Sequence, residues 1–145
     1  MLSNYSADQI LEFIRHKNEP FWLRERQSRP LALFHQAAER VPAYKDWLRQ
    51  HRIDHKKIKT WQDFQAVPPI SKKNYLQKYP LEKLCWDGTL TKPIVYSSTS
   101  GSTGSPFYFP RSAQLDWESS IVHEMFFTNN KLQNEPTLVL VCFGM

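Results

Sequence analysis

The first seventy residues carry their apolar side chains at helical intervals. Ser6 and Gln9 have the spacing of a capping box, and Ile10, Leu11, Phe13 and Ile14 then fall on one stripe, which predicts a first helix starting there. A second stripe, Leu31, Leu33, Phe34, Ala37, Ala38 and Val41, follows Pro30. A proline suits the first turn of a helix, where its missing donor would be unpaired anyway, so the second helix is expected to begin at Pro30. Pro42 bends or restarts the chain, after which Tyr44, Trp47 and Leu48 keep a spacing of three to four. Thr60 is placed to cap a short turn carrying Trp61 and Phe64. Pro68 and Pro69 end that segment, Ser71 can cap Lys72 to Lys78, and Pro80 closes this part of the chain.

After residue 92 the pattern changes. Pro93, Ile94, Val95 and Tyr96 read as one strand, and Phe107, Tyr108 and Phe109 as another, because β-branched and aromatic residues favour extended pairing. Ser112 is placed to cap a helix running to about Asn129, with Leu115, Ile121, Val122, Met125 and Phe126 on a broad apolar face. A loop of Asn129, Asn130 and 134–136 leads to Thr137–Phe143, apolar without alternation, as expected for a strand covered on both faces of a parallel sheet. Such a strand needs neighbours, and only two other short strands can be read. The expectation is therefore an α/β chain: a helical segment over 1–92, then over 93–145 the first strands and helix of a nucleotide-binding domain. Its sheet is incomplete, and the rest is expected from a missing C-terminal part of the same protein.

Composition narrows the class. The chain has 145 residues, of which 41% are hydrophobic and 23% charged, and its 20 aromatics are more than a disordered chain carries. The longest apolar run, Leu138–Phe143, falls far short of the roughly 18 to 20 residues that cross a bilayer, so no membrane span is expected. The first ten residues lack the basic and apolar stretches of a secretory signal, and Cys85 and Cys142 make no disulfide framework, which points to the cytoplasm. Net charge is +5 and uneven: residues 1–92 hold seventeen basic and ten acidic groups, residues 93–145 two and four. Lys45–Lys59 is the most basic stretch, yet its charges alternate with Trp47, Ile53 and Ile58 as on a solvated amphipathic surface, so no nucleic-acid partner is expected.

Residues 97–105 read SSTSGSTGS, seven hydroxyl side chains and two of the four glycines of the chain. Glycines let successive backbone N–H groups turn inward, and short hydroxyls add donors without bulk, so such a loop can wrap a polyphosphate. The bland alternative is a flexible linker. The strand-like residues on both sides favour a loop with fixed ends. It is not the common nucleotide loop, which needs Lys after its last glycine, where Ser105 stands, and a helix directly following. The three-glycine dinucleotide fingerprint does not fit either.

Thr99-Ser100-Gly101-Ser102-Thr103-Gly104-Ser105-Pro106 resembles, in complete register, the phosphate-binding loop of the adenylate-forming enzyme superfamily. Upstream, Val41-Pro42-Ala43-Tyr44 and Trp61 to Ser71-Lys72 are similar to the helical N-terminus of the phenylacetate-CoA ligase family within it; downstream, Asp116-Trp117 and Phe143-Gly144 also fit. The resemblance, over roughly residues 40–145, implies an ATP-dependent ligase that turns a small carboxylic acid into an acyl-adenylate and then into a thioester, with coenzyme A the common acceptor. It implies phosphate donors at Thr99, Ser100, Gly101, Ser102, Thr103 and Gly104, with Thr103 nearest the departing pyrophosphate and its Mg²⁺. Many members place Lys after the motif's proline, where Phe107 stands here; phenylacetate-type relatives often lack it too. The family's adenine- and ribose-binding residues, its Mg²⁺-binding Glu and its catalytic Lys are expected beyond residue 145, so the catalytic residues are not among these and the chain alone is expected to be inactive.

The other chemistry-bearing residues have plainer readings. His51 and His55 are four apart but have no Cys near them, a poor metal site, and no metal is assigned. Cys85 beside Trp86 reads as a packed thiol, and Ser100 does not match the G-x-S-x-G elbow of hydrolases. Asp116 and Glu118 suit the first turns of a helix, and Trp22, Phe34, Tyr44, Trp47 and Phe64 read as core anchors. The rivals to a ligase are a noncatalytic interaction module whose Ser/Thr/Gly stretch is a linker, and a basic nucleic-acid binder using Lys45–Lys59.

Overall fold

The computed structural model describes residues 5–91, 94–99, 106–132 and 134–140. The chain is mixed α/β and mostly helical. Its contacts divide it into two units, residues 18–91 and a second formed by 1–17 with 92–145.

The unit over 18–91 is all helix and turn. Helix α2 (Glu19–Arg40) starts at Asn18, whose side chain accepts the N–H of Phe21 at 3.1 Å, with Pro20 in the first turn. The helix thus begins eleven residues before Pro30, which lies in its interior, contrary to the sequence reading. An interior proline removes the hydrogen bond to the carbonyl four residues back, at a cost of roughly 3 kcal/mol. Here the turns on either side, and the burial of Phe34 and Ala38 beyond it, carry the helix across the gap. Val41 ends α2 and Pro42 restarts the chain as α3 (Pro42–Gln50). Asp54 caps a 3-10 turn at His55–Lys57, and α4 (Trp61–Gln65) opens on a full capping box between Thr60 and Asp63. Ser71 and Asn74 exchange side-chain caps, and 3-10 turns follow at Leu76–Lys78, Leu81–Leu84 and Trp86–Gly88.

The core of this unit gathers Phe34 and Ala38 of α2, Val41, Ala43, Trp47 and Leu48 around α3, and Tyr75. Trp47 is 2% exposed and sits between Tyr44, stacked at 5.7 Å, and His51, stacked at 4.1 Å. A second fastening joins α2 to the last turn: Arg40 grips Asp87 through two bonds of 3.1 and 2.6 Å and lies over the Trp86 ring. Asp87 and Gly88 both adopt positive φ there, which sharpens the turn against Pro42.

In the other unit, Ser6 and Gln9 form the expected capping box at the head of α1 (Ala7–His16). Strands β1 (Ile94–Ser98) and β2 (Tyr108–Ser112) pair antiparallel, Ile94 opposite Ser112 and Ser98 opposite Tyr108. Helix α5 (Ala113–Asn129) follows at once, its first turn capped by Ser112, whose Oγ accepts the N–H of Leu115. Helix α1 packs on α5, with Arg15 donating to the Asn129 side chain at 3.0 Å. The parallel strand expected over Thr137–Phe143 does not form across residues 137–140, which have no ladder partner; Leu138 and Leu140 are about four-fifths exposed. Among the described residues the sheet has only the two hairpin strands, and a buried strand has no neighbour to take up its backbone groups. Residues 141–143 lie outside the described residues.

Candidate functional site

Of the hydroxyl-rich stretch read as a loop, Ser97 and Ser98 belong to β1, paired with Phe109 and Tyr108, and the chain from Thr99 onward is the connection of the β1–β2 hairpin. Above the last ladder pair, Ser98 with Tyr108, the chain makes one further closure. The Thr99 N–H donates to the Phe107 carbonyl at 3.0 Å, and the Phe107 N–H donates to Thr99 Oγ1 at 2.9 Å. Two reciprocal bonds thus pin the neck, with Thr99 and Phe107 half-buried and the Phe107 ring against Phe109 at 4.8 Å. The sequence reading foresaw extended segments on both sides. That they pair with each other is what the structure adds, and a loop whose two ends meet across a ladder is not a linker between separate bodies.

Of the six predicted phosphate donors, Thr99 is described. Its N–H is committed to Phe107 and its oxygen accepts, which leaves its hydroxyl hydrogen as the donor it can still offer. Ser100, Gly101, Ser102, Thr103 and Gly104 lie outside the described residues. The chemistry around the neck suits an anion in one respect: from Gly88 to Leu115 the sequence holds no carboxylate. It also holds no Lys, Arg or His from Ile94 to Pro110. The nearest cation in sequence, Arg111, stands at the far end of β2 and faces Asp116 at 3.3 Å.

The helix dipole is out of reach as well. Helix α5 starts at the end of β2 remote from the loop, and the four residue steps from Tyr108 to Ser112 span about 13 Å. Among the described residues of the hairpin, Arg111 is the one cationic side chain, and it lies at the end away from the neck.

The remaining polar residues are accounted for by structure. The Nδ1–H of His51 donates to the Trp47 carbonyl at 2.8 Å while its ring stacks on the indole, and His55 starts a 3-10 turn. Among the described residues no three His, Cys, Asp or Glu side chains gather to hold a metal ion. The Cys85 thiol points to the Leu81 carbonyl at 3.3 Å, and burial, with Glu82 nearby, pushes its pKa up, away from thiolate reactivity. Asp46 is held below the usual carboxylate range first by the Tyr79 hydroxyl, which donates to it at 2.9 Å, and then by Arg49 and Gln50. Tyr79 is pushed up by burial and by Asp46.

Sequence reasoning missed a second concavity. In the 18–91 unit an apolar groove of about 330 Å³ opens beside Pro30, walled by Phe34, Val41, Phe64 and Leu84, with Tyr44 and Tyr75 also facing it. Periodicity could not reveal it, because its walls come from segments more than fifty residues apart.

No family model, no curated protein and no solved structure matches the chain. Among the described residues no helix is long and apolar enough to cross a membrane.

Proposed function

We propose that the chain is the N-terminal portion of an ATP-dependent carboxylate ligase of the adenylate-forming kind, most like the phenylacetate-CoA ligases, and that its hairpin loop grips the β- and γ-phosphates of ATP. On this reading the hairpin and α5 open the sheet of the nucleotide-binding domain. One observation carries the proposal: the eight-residue motif Thr99–Pro106, complete in sequence, joins two paired strands whose neck is closed by two hydrogen bonds between Thr99 and Phe107. A loop held at both ends loses less conformational freedom when its donors converge on a ligand than a free linker would. Donors aimed at developing phosphate charge are what phosphoryl and nucleotidyl transfer require of a protein. The absence of any carboxylate from Gly88 to Leu115 keeps repulsion away from the tail.

Residues 1–145 hold no counterpart of the family's adenine- and ribose-binding residues, its Mg²⁺-binding Glu or its catalytic Lys. The reading therefore gives this chain the grip on the phosphate tail and gives acyl-adenylate and thioester formation, with coenzyme A as acceptor, to the longer protein. The acid is a small carboxylic acid.

Amide NMR tests the grip directly. MgATP and magnesium pyrophosphate should both shift the Gly101 and Gly104 amides in a saturable way, and magnesium AMP, which lacks the two outer phosphates, should not. Protease cleavage near Ser102 should slow in parallel with MgATP. Equal shifts with AMP, or cleavage indifferent to nucleotide, would replace the ligase reading with that of an interaction module.

A further inference from the structure

The apolar groove of the 18–91 unit has a chemical signature of its own. Tyr75 is 4% exposed and Tyr44 half-buried, their rings meet edge to face at 6.1 Å, and both face the groove. Neither hydroxyl makes a hydrogen bond to any described residue, whereas Tyr79, the neighbouring ring of the same cluster, donates to Asp46. Neither oxygen is among the buried polar atoms sealed off without a partner, so each stays within reach of solvent and is a donor that a bound molecule could use in place of water. Burial raises the pKa of both hydroxyls, so at neutral pH each keeps its proton and remains a donor. The rest of the lining is apolar, and no Lys, Arg or His contributes to it.

We propose that this groove is a binding site for a small, uncharged, largely apolar molecule carrying one hydrogen-bond acceptor, such as an aryl ketone, whose oxygen accepts hydrogen bonds from the Tyr44 and Tyr75 hydroxyls. Its volume of about 330 Å³ is at the lower end of the ligand-pocket range of about 300–1,000 Å³, room for a single ring with a short substituent. A carboxylate is the wrong occupant, because nothing in the lining would compensate its desolvated charge. This separates the site from the acid-binding chemistry proposed above, on which the inference does not rest. Leu33 and Ile70, about half exposed, form the rim across which the molecule enters.

Methyl NMR of the whole chain provides the test, with acetophenone as probe, ethylbenzene as its counterpart without an acceptor, and benzoate as the charged one. Acetophenone should saturably shift the Leu33, Val41 and Leu84 methyls. It should bind more tightly than ethylbenzene by roughly 2- to 12-fold, the reach of one net hydrogen bond, and benzoate should bind weakest. Tyr75→Phe and Tyr44→Phe keep the ring packing, so the fold should persist, and together they should erase the preference for the ketone while leaving ethylbenzene unchanged. Equal affinities for ketone and hydrocarbon, an unchanged preference in the double variant, or no saturation with any probe would each overturn the proposal. So would methyl shifts at Leu33 and Ile70 that follow chain concentration instead of probe, which would make the groove a self-association surface.

Discussion

Replacing Thr99 by Val should loosen the neck of the hairpin without altering its strands. The substitution keeps the β-branched shape but removes the oxygen that accepts the Phe107 N–H at 2.9 Å. The Phe107 amide is half-buried, so water replaces the lost partner only in part. A net hydrogen bond contributes roughly 0.5–1.5 kcal/mol, and an incompletely satisfied donor costs in the range of about 1–3 kcal/mol. The loss at the neck should therefore be about 1.4 kcal/mol, a tenfold rise in the local opening constant. Hydrogen exchange under native conditions reads that constant residue by residue. The amides of Phe107 and Thr99, which share the closure, should exchange about tenfold faster. Ladder amides near the Ile94–Ser112 end should not change. Thr99→Ser keeps the oxygen and should restore protection to within about twofold, the difference being rotamer freedom. If Thr99→Val leaves Phe107 protected, or if Ser fails as badly as Val, the side-chain bond does not hold the neck and the fixed-end argument for the loop falls.

Three further perturbations bear on the helical unit. Asp46 has a folded pKa below its unfolded value, first because of the Tyr79 hydroxyl and then Arg49, so it contributes stability that is present above the unfolded carboxylate pKa of about 4. That contribution is lost as pH falls through the folded value, and urea midpoints should show a shallower acid decline in Asp46→Asn than in the parent chain. Gly88→Ala should cost roughly 1–2 kcal/mol and lower Tm, since φ there is +68° and the new Cβ would meet Pro42 Cγ at 3.1 Å. Trp47→Ala should cost about 3–5 kcal/mol by urea unfolding. Trp47→Phe should cost much less, because it also removes a buried indole N–H that has no acceptor.

What could be read from the sequence was whatever is decided within a turn or two. Ser6 with Gln9, Thr60 ahead of Trp61, and Ser112 ahead of α5 all cap helices where spacing placed them. Asn18-Glu19-Pro20 is an equally local start signal, but Pro30 was given a boundary role that tertiary packing overrides. Of the extended segments read over 93–96 and 107–109, residues 94–96 and 108–109 are strand; the extension of β1 to Ser98 and of β2 to Ser112, their register and the Thr99–Phe107 neck depend on pairing across the loop. Over 137–140 the expected strand does not form, because an apolar run specifies burial without supplying the neighbour that burial requires. Tyr44 was read as a core anchor, and its ring does pack there; that it lines a groove together with Tyr75 depends on two residues thirty-one positions apart.

The placement of charge around the hairpin yields a last expectation. Nucleotide loops that run straight into a helix can share the anion's charge with the helix N-terminus and a following lysine. Here α5 begins about a strand's length from the loop, and Ile94–Pro110 contains no cation. The one arginine of the hairpin faces Asp116 at its far end. Neutral N–H and hydroxyl donors can orient a polyphosphate but cannot cancel several negative charges, so on the proposed reading a divalent ion must arrive with the ligand. Pyrophosphate should therefore shift the Gly101 and Gly104 amides in the presence of Mg²⁺ and lose most of that effect when the ion is chelated. Added salt should weaken the magnesium complex only modestly, because few side-chain charges are screened. Tight, steeply salt-sensitive binding of free pyrophosphate would mean that lysines or arginines from elsewhere in the chain hold the anion, and the self-sufficient loop would be the wrong account of its chemistry.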